Sequence, residues 1–307
     1  MLALNANTLA LYDELERSLI GIELHRVGLL FVSLEKEHLK EYEMLFDELG
    51  RLGYSGEVSV IGTQEARVME PALSKNVAGG IHAVAERHVR PESLTTGLVG
   101  ALGRAGATLN EDTEVTGLDR AAGRGWIVRT LAGAYEFDRV AVASGAWSAQ
   151  LLRPLGFRLP LEGAKGYSLT FRWDTGAPSL PLYFIEAKVA LSPFDSGVRL
   201  AGTLELTGLD LSLNRRRLDA LTSAARRYLD NLPAIGEHAQ WAGLRPLSPD
   251  GLPYIGEVPG CRGLYLATGH SMLGITLAPS TGSLLAALIL DQERPVELEP
   301  FRVDRYT

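Results

Sequence analysis

Apolar residues recur along the chain at two periods, and the switches between them mark its elements. From Asn5 to Ile20, Leu11, Leu15 and Leu19 follow Leu4 at helical spacing, which predicts a helix. Ile22 to Leu34 is rich in β-branched and aromatic residues and predicts a strand. A second helix is predicted from Glu37 to Leu52, where Leu39, Tyr42, Leu45, Phe46, Leu49 and Leu52 share a face and Gly53 supplies the left-handed stop. After a strand at Gly80 to Val84, the run Arg90 to Gly106 predicts a helix, with Pro91 at its start and Gly106 at its end. Short strands follow at Thr113 to Leu118, Gly125 to Leu131, Tyr135 to Phe137 and Arg139 to Ala143.

A second group of strands comprises Arg158 to Arg172 and a hairpin pair at Leu182 to Pro193 and Val198 to Leu206. An amphipathic helix is predicted from about Asn214 to Asn231. Strands at Trp241 to Pro246 and Gly263 to Ala267 and a long apolar helix at Ile275 to Leu290 complete the chain. This irregular alternation predicts a mixed α/β (α+β) fold with two sheets rather than a plain doubly wound domain.

Composition narrows the classes. With 307 residues, 46% of them apolar, the chain can bury the core of one large or two intertwined domains. A net charge of −7 with scattered Lys and Arg excludes the basic footprint of a nucleic-acid binder. The densest cluster, Arg215, Arg216 and Arg217, falls on the amphipathic helix and reads as a solvated face. A single cysteine, Cys261, excludes an internal disulfide and a thiolate cluster for zinc or iron and sulfur, so no metal site is expected. Met1 to Glu14 has no basic region before an apolar run, and no stretch reaches about 18 uninterrupted apolar residues. A cytoplasmic location is expected, at most peripheral to the inner face of the membrane.

Chemistry concentrates between Trp241 and Gly282. Arg245 at a strand end offers a planar, always charged fork suited to a carboxylate, or else makes an interdomain salt bridge. The strand Gly263 to Ala267 runs through Thr268, Gly269 and His270 into Gly274 and a helix, aiming unpaired amides and a positive helix dipole at whatever lies above. A tight turn packed by its glycines is the plainer reading, and His270 is either a satisfied loop residue or a base. Ser144, Gly145, Ala146, Trp147 and Ser148 follow a strand, where small residues let a ligand approach the backbone.

Four segments carry a resemblance: KGYSLTF (165–171), LAGTLELTGLDLSLNRRR (200–217), WAGLRPLSPDGLPYIG (241–256) and GHSMLGITLAP (269–279). They resemble the D-amino acid dehydrogenase (small subunit) branch of the FAD-dependent D-amino acid oxidase and glycine oxidase superfamily. The stretch from Leu4 to Gly28 resembles one that lies inside such proteins. The resemblance implies an FAD-binding Rossmann-type domain, here incomplete, interleaved with a substrate domain on a mixed, largely antiparallel sheet. Residues 1–84 and 158–243 would form the substrate domain, and 85–157 and 244–307 the FAD-binding domain. It implies that Arg245 grips the substrate carboxylate, with His270 beside it in the loop. Tyr167 and Tyr254 would lie near flavin or substrate, although each could equally be a half-buried strand residue with its hydroxyl tied to backbone.

Val115 (adenine side), Ser144, Gly145, Trp147, Gly243, Gly269, Met272, Leu273, Gly274, Ile275 and Thr276 would border the cofactor. Glycine oxidases carry an arginine where this chain has Met272, which favours the dehydrogenase branch. The implied activity is oxidative deamination of a D-amino acid, with hydride passing from Cα to flavin N5 and the imino acid hydrolysing to a 2-oxo acid. The alternatives are a glycine or sarcosine-type oxidase and a noncatalytic remnant without FAD. The family's Gly-x-Gly-x-x-Gly turn, which holds the FAD pyrophosphate, does not occur in the sequence. A sheet without its first strands would expose apolar edges, so a second chain or an oligomer is an expected partner, beside the D-amino acid and a respiratory electron acceptor.

Overall fold

The computed structural model describes residues 1–235 and 240–306. The first part of the chain forms α1 (Leu2–Asn5), α2 (Thr8–Ser18), β1 (Leu24–His25), β2 (Leu29–Ser33), α3 (Lys36–Arg51), β3 (Val58–Gly62), α4 (Thr63–Met69) and β4 (Gly79–Ala83). Next come β5 (His88–Val89), α5 (Pro91–Arg104), β6 (Val115–Arg120), β7 (Trp126–Thr130), β8 (Gly133–Phe137), β9 (Val140–Val142) and α6 (Ser148–Leu152). The remainder comprises β10 (Glu162–Phe171), β11 (Leu182–Phe184), β12 (Val189–Phe194), β13 (Gly197–Leu206), α7 (Arg215–Tyr228), β14 (Gln240–Leu247), β15 (Tyr254–Glu257), β16 (Leu264–Thr268) and α8 (Gly274–Ile289).

Eight strands form one sheet in the order β14-β10-β13-β12-β11-β2-β4-β3, antiparallel except where β11 runs parallel to β2. This is the mixed, largely antiparallel sheet expected from the sequence. Side chains alternate between its faces. On one face Leu30, Val32, Tyr167, Leu169, Leu182, Phe184, Leu191 and Leu200 pack with Leu218, Leu221, Ala225 and Tyr228 of α7. The Phe184 and Tyr228 rings stack there at 4.4 Å between centroids. On the other face α3 covers one end, where Phe31 meets Tyr42, Phe46 and Tyr183. Among the described residues no such helix lies across the end formed by β13, β10 and β14, and the candidate site lies there.

The second sheet is small. β16 pairs antiparallel with β15 and parallel with β9, so β15 and β9 are its two edges. Helix α8 packs on β15 and β16, where Leu277 and Leu284 share a core with Leu4, Ile255 and Phe301. The meander β6-β7-β8 closes against it through the fully buried Trp126, whose indole donates to the Arg262 carbonyl at 3.0 Å.

Several expectations change. The predicted strand Ile22 to Leu34 is two strands, because Gly28 turns the chain at a φ of +78°. The arm Leu182 to Pro193 is likewise two strands, with Lys188 at a φ of +53° between them. Strands β3 and β15 and helix α4 were not foreseen, being four to seven residues long and too short to show a period.

Two packings bear on how the chain is divided. Residues 2–18 pack against α8 rather than the large sheet: the Tyr12 hydroxyl donates to the Ile275 carbonyl at 2.6 Å. Strand β14 continues through residue 247, so Arg245 stands in the large sheet rather than beyond a boundary at 243. Periodicity identifies an apolar face but not the surface it meets. Among the described residues, Ser271–Ile289 is a helix long and apolar enough, by length and composition, to cross a membrane. Its Thr276, Ser280, Thr281 and Ser283 break any strictly apolar run yet add no charge.

Candidate active site

Strand alternation places Gly166, Ser168 and Thr170 of β10, Arg199 and Ala201 of β13, and Trp241, Gly243 and Arg245 of β14 on the uncovered face. Together with Pro91, Glu92 and Thr95 at the start of α5, and Ile275 at the start of α8, they line a cavity of about 640 Å³. The floor is built from small side chains, so the strands themselves leave the room.

Arg245 dominates this floor. Its guanidinium lies directly over Gly166: a Cβ built there would come within 1.9 Å of Nη1 and 2.3 Å of Cζ. Glycine within a strand marks a close approach, and here the approaching group is the arginine. Nη1 donates to the Thr203 carbonyl at 3.2 Å. Thr203 has a φ of +60° where β13 slips its register against Lys165 and Tyr167. A β-branched residue in this region costs about 1–3 kcal/mol, and strain of this kind concentrates at functional sites. The bulge turns a neutral carbonyl, rather than a carboxylate, toward the guanidinium. Among the described residues no acidic side chain pairs with Arg245, and burial pushes its pKa below the usual arginine value. A half-buried cation held without a counter-ion is a ready anion site.

The loops expected from sequence meet at the same strand. Because β9 and β16 are parallel, their C-terminal ends open on one side, the usual place for ligands in such sheets. The Thr268 hydroxyl donates to the Gly145 carbonyl at 2.8 Å, tying the two ends together. The turns at 145–147 and 271–273 both pack on β14, and Leu247 bridges to His270. Ser144 and Ser148 are joined through their hydroxyls at 3.1 Å. Gly145 at a φ of +56°, Gly269 at +82° and Ser271 at +52° hold the loops in left-handed conformations. Trp147, Met272, Leu273, Ile275 and Thr276 are exposed around the first turn of α8, which begins at Gly274 and presents unpaired amides. At Gly243 a Cβ would collide with the Trp241 ring at 2.0 Å, so that glycine seats the indole that walls the cavity.

Tyr254 and Val115 stand elsewhere, and Tyr167 touches the cavity lining but sends its ring to the core. Tyr254 is fully buried, its hydroxyl donates to the Pro160 carbonyl at 2.9 Å, and Arg305 covers its ring at 3.9 Å. It supports the loop from below, since a Cβ at Gly269 would lie 3.1 Å from its Cδ2. Tyr167 turns to the core face and donates to Glu205 at 2.5 Å, beside the buried Lys165 that binds Asp210 at 2.7 Å. Val115 is partly exposed at the start of β6 in the meander and does not line the cavity. Sequence reasoning missed Gly166, Thr203, Arg199, Glu92 and Trp241. Only the glycine inside the KGY strand carried a readable signal.

His270 borders the loop but is unsuited to act as a base. Its Nε2 lies 3.0 Å from the Thr281 hydroxyl, and burial pushes its pKa down to about 4. The unfolded imidazole, near the ordinary 6.5, therefore takes up a proton first as pH falls. The stability that neutral His270 contributes is complete above about pH 6.5 and is lost as pH falls toward 4. Melting scans between pH 7 and 4.5 should show a falling Tm that His270→Asn flattens; an unaltered slope would assign the titration to another group.

Glu23, His25 and Asp195 also come together, within reach of a metal ion. Glu23 already accepts from the Asp195 amide at 2.7 Å and lies 3.2 Å from His25 Nε2, with the Arg90 cation 3.6 Å away. The cluster acts as a strut between β1 and the β12–β13 turn.

The family model described as FAD dependent oxidoreductase (DAO) matches residues 1–288. The glycine oxidase of Pseudomonas aeruginosa is 32% identical over 285 residues, covering 91% of this chain and 75% of that protein. Among solved structures, glycine oxidase from Geobacillus kaustophilus superposes with a TM-score of 0.89 at 29% identity, over 100% of this chain and 82% of the other. Iminodiacetate oxidase from Chelativorans sp. BNC1 gives 0.84 at 25% identity, over 98% of this chain and 83% of the other.

Proposed function

Because the chain belongs to the DAO family of FAD-dependent oxidoreductases, we propose that it oxidises a small amino acid in the manner of a glycine oxidase, holding the substrate's α-carboxylate on Arg245. The carrying observation is the half-buried guanidinium over Gly166, bound to one neutral carbonyl and, among the described residues, to no acid. The cavity suits a molecule that brings its own negative charge.

Residues at the loop end fit the flavin ring. Around Gly145 a Cβ would find open space, the N-terminus of α8 has no side-chain cap, and the rim of Trp147, Met272, Leu273 and Ile275 is apolar. These residues, with Gly274 and Thr276, would hold the ring. FAD, when bound, supplies the acceptor for the two electrons and the hydrogen lost from the substrate carbon. Arg245 fixes the carboxylate, Trp241 and Ile275 shield the reacting carbon from water, and the α8 dipole favours negative charge at its N-terminus. Among the described residues no histidine lines the cavity, and the one carboxylate there, Glu92, is paired with Arg199. The ammonium proton therefore leaves to solvent before oxidation, and no protein base is needed.

A D-amino acid dehydrogenase is the second reading, favoured by Met272 standing where glycine oxidases carry a second arginine. The glycine oxidases among the relatives weigh for the first. The two part on a single assay of the FAD-loaded protein: peroxide release against dye reduction, with glycine, sarcosine, D-alanine and D-proline. Peroxide from glycine or sarcosine is the expected outcome. Dye reduction by D-alanine or D-proline without peroxide would transfer the assignment, and absence of flavin binding with no turnover would end both.

A further inference from the structure

The cavity holds a second guanidinium that the proposed oxidation does not use. Arg199 stands on the same sheet face as Arg245, opposite Thr170 in the register, and its Nε donates to the Thr170 hydroxyl at 3.0 Å. Arg245 lies over Gly166, four residues earlier on β10. At about 3.3 Å per residue, the two guanidinium groups are roughly 13 Å apart along the strand. Between them the floor is formed by Ser168 and Ala201, with Trp241, paired opposite Ser168, walling the β14 side.

Arg199 is not a loose surface cation. Besides Thr170, it lies 5.5 Å above the Phe194 ring and pairs with both oxygens of Glu92, at 2.6 and 3.4 Å. Glu92 is the mobile partner by position: its side chain is 53% exposed on the first turn of α5, where the helix dipole favours a carboxylate even when it swings into solvent. Burial opposes its charge, but the bonds from Arg199 hold its carboxyl below the usual range. Among the described residues the cavity lining carries two arginines and one glutamate, a net charge of 2 − 1 = +1. That charge favours an anionic ligand, and Arg199 offers a carboxylate a second point of attachment.

We propose that Arg199 is the distal specificity residue and takes the second carboxylate of a dicarboxylic amino acid or amine, with Glu92 filling that place when the substrate is absent. The proposal rests on the reading that Arg245 binds the α-carboxylate. Bidentate pairing sets each carboxylate carbon about 4 Å from its guanidinium carbon, which leaves roughly 5 Å between the two carboxylates. A chain of glutamate or glutarate length spans that gap. A cationic side chain fits worse, because Glu92 already faces Arg199 and lies 3.5 Å from Arg90.

Calorimetric titration of the full protein with glutarate and with butyrate, which has one carboxylate fewer, tests this without turnover. Glutarate should bind at least about tenfold tighter. Arg199→Met should collapse the glutarate-to-butyrate ratio to about one, Arg199→Lys should retain part of it, and Glu92→Gln should strengthen glutarate several-fold by removing the competing carboxylate. Equal binding of the two ligands, or a ratio that survives in a folded Arg199→Met protein, overturns the distal assignment alone. Butyrate binding that Arg245→Met does not weaken overturns the reading beneath it instead, and a protein that binds neither ligand overturns both.

Discussion

Arg245→Met should lower kcat/KM for the amino acid by roughly 30- to 5000-fold, because removing one partner of a desolvated, hydrogen-bonded charge pair costs about 2–5 kcal/mol. The loss should fall mainly on KM, since the carboxylate is held equally before and during oxidation and its anchor contributes uniform binding. Stability should move the other way or not at all. Methionine has a similar reach without the charge, and the site has no acid to leave unpaired, only the Thr203 carbonyl at 3.2 Å. Arg245→Lys keeps the charge but not the planar fork and should recover only a small part of the activity. Steady-state kinetics with a melting curve for each variant check this. A KM unmoved by Arg245→Met would mean that the carboxylate is anchored elsewhere.

Much of the large sheet can be read from alternation, and alternation says more about the site than the motifs do. In KGYSLTF, period two puts Tyr167 with Leu169 and Phe171 on one face and Gly166 with Ser168 and Thr170 on the other. The first set is the core face, so the pattern alone turns the Tyr167 ring to the core, although the residue still contributes to the cavity lining. Tyr254 is different. It lies in a four-residue strand between two turns, and only the fold shows its hydroxyl spent on Pro160.

Partner choice is what sequence patterns carry least. Leu4 and Tyr12 mark an apolar face in the first helices, but nothing local says that this face meets α8. Lys165 reads as a solvent residue by type, yet it is buried because Asp210, Ser212 and Glu205 fold back over it. The Arg199–Glu92 pair joins residues 107 positions apart, and the bulge at Thr203 arises from a register slip that no local propensity encodes. The loop after β16 was legible for the opposite reason. A strand, two glycines and an apolar helix within a few residues leave few other conformations open.

Gly166→Ala separates the geometry of the arginine from its chemistry. The atoms a new Cβ would strike belong to the far end of a flexible side chain, Nη1 at 1.9 Å and Nη2 at 2.4 Å, and not to backbone. The guanidinium can therefore swing away at little cost, and Gly166 lies outside the left-handed region, so alanine fits the strand and should leave Tm within about 2 °C or raise it slightly. Function should respond differently. A shift of about 1 Å in a positioning group can cost roughly 100-fold, so kcat/KM should fall by one to two orders of magnitude with Arg245 still present. The deficit should approach that of Arg245→Met, and adding Gly166→Ala to that variant should cost little more, because both substitutions act on one contact. Independent, additive losses in the double-mutant cycle would show that Gly166 serves the site in some way other than seating Arg245.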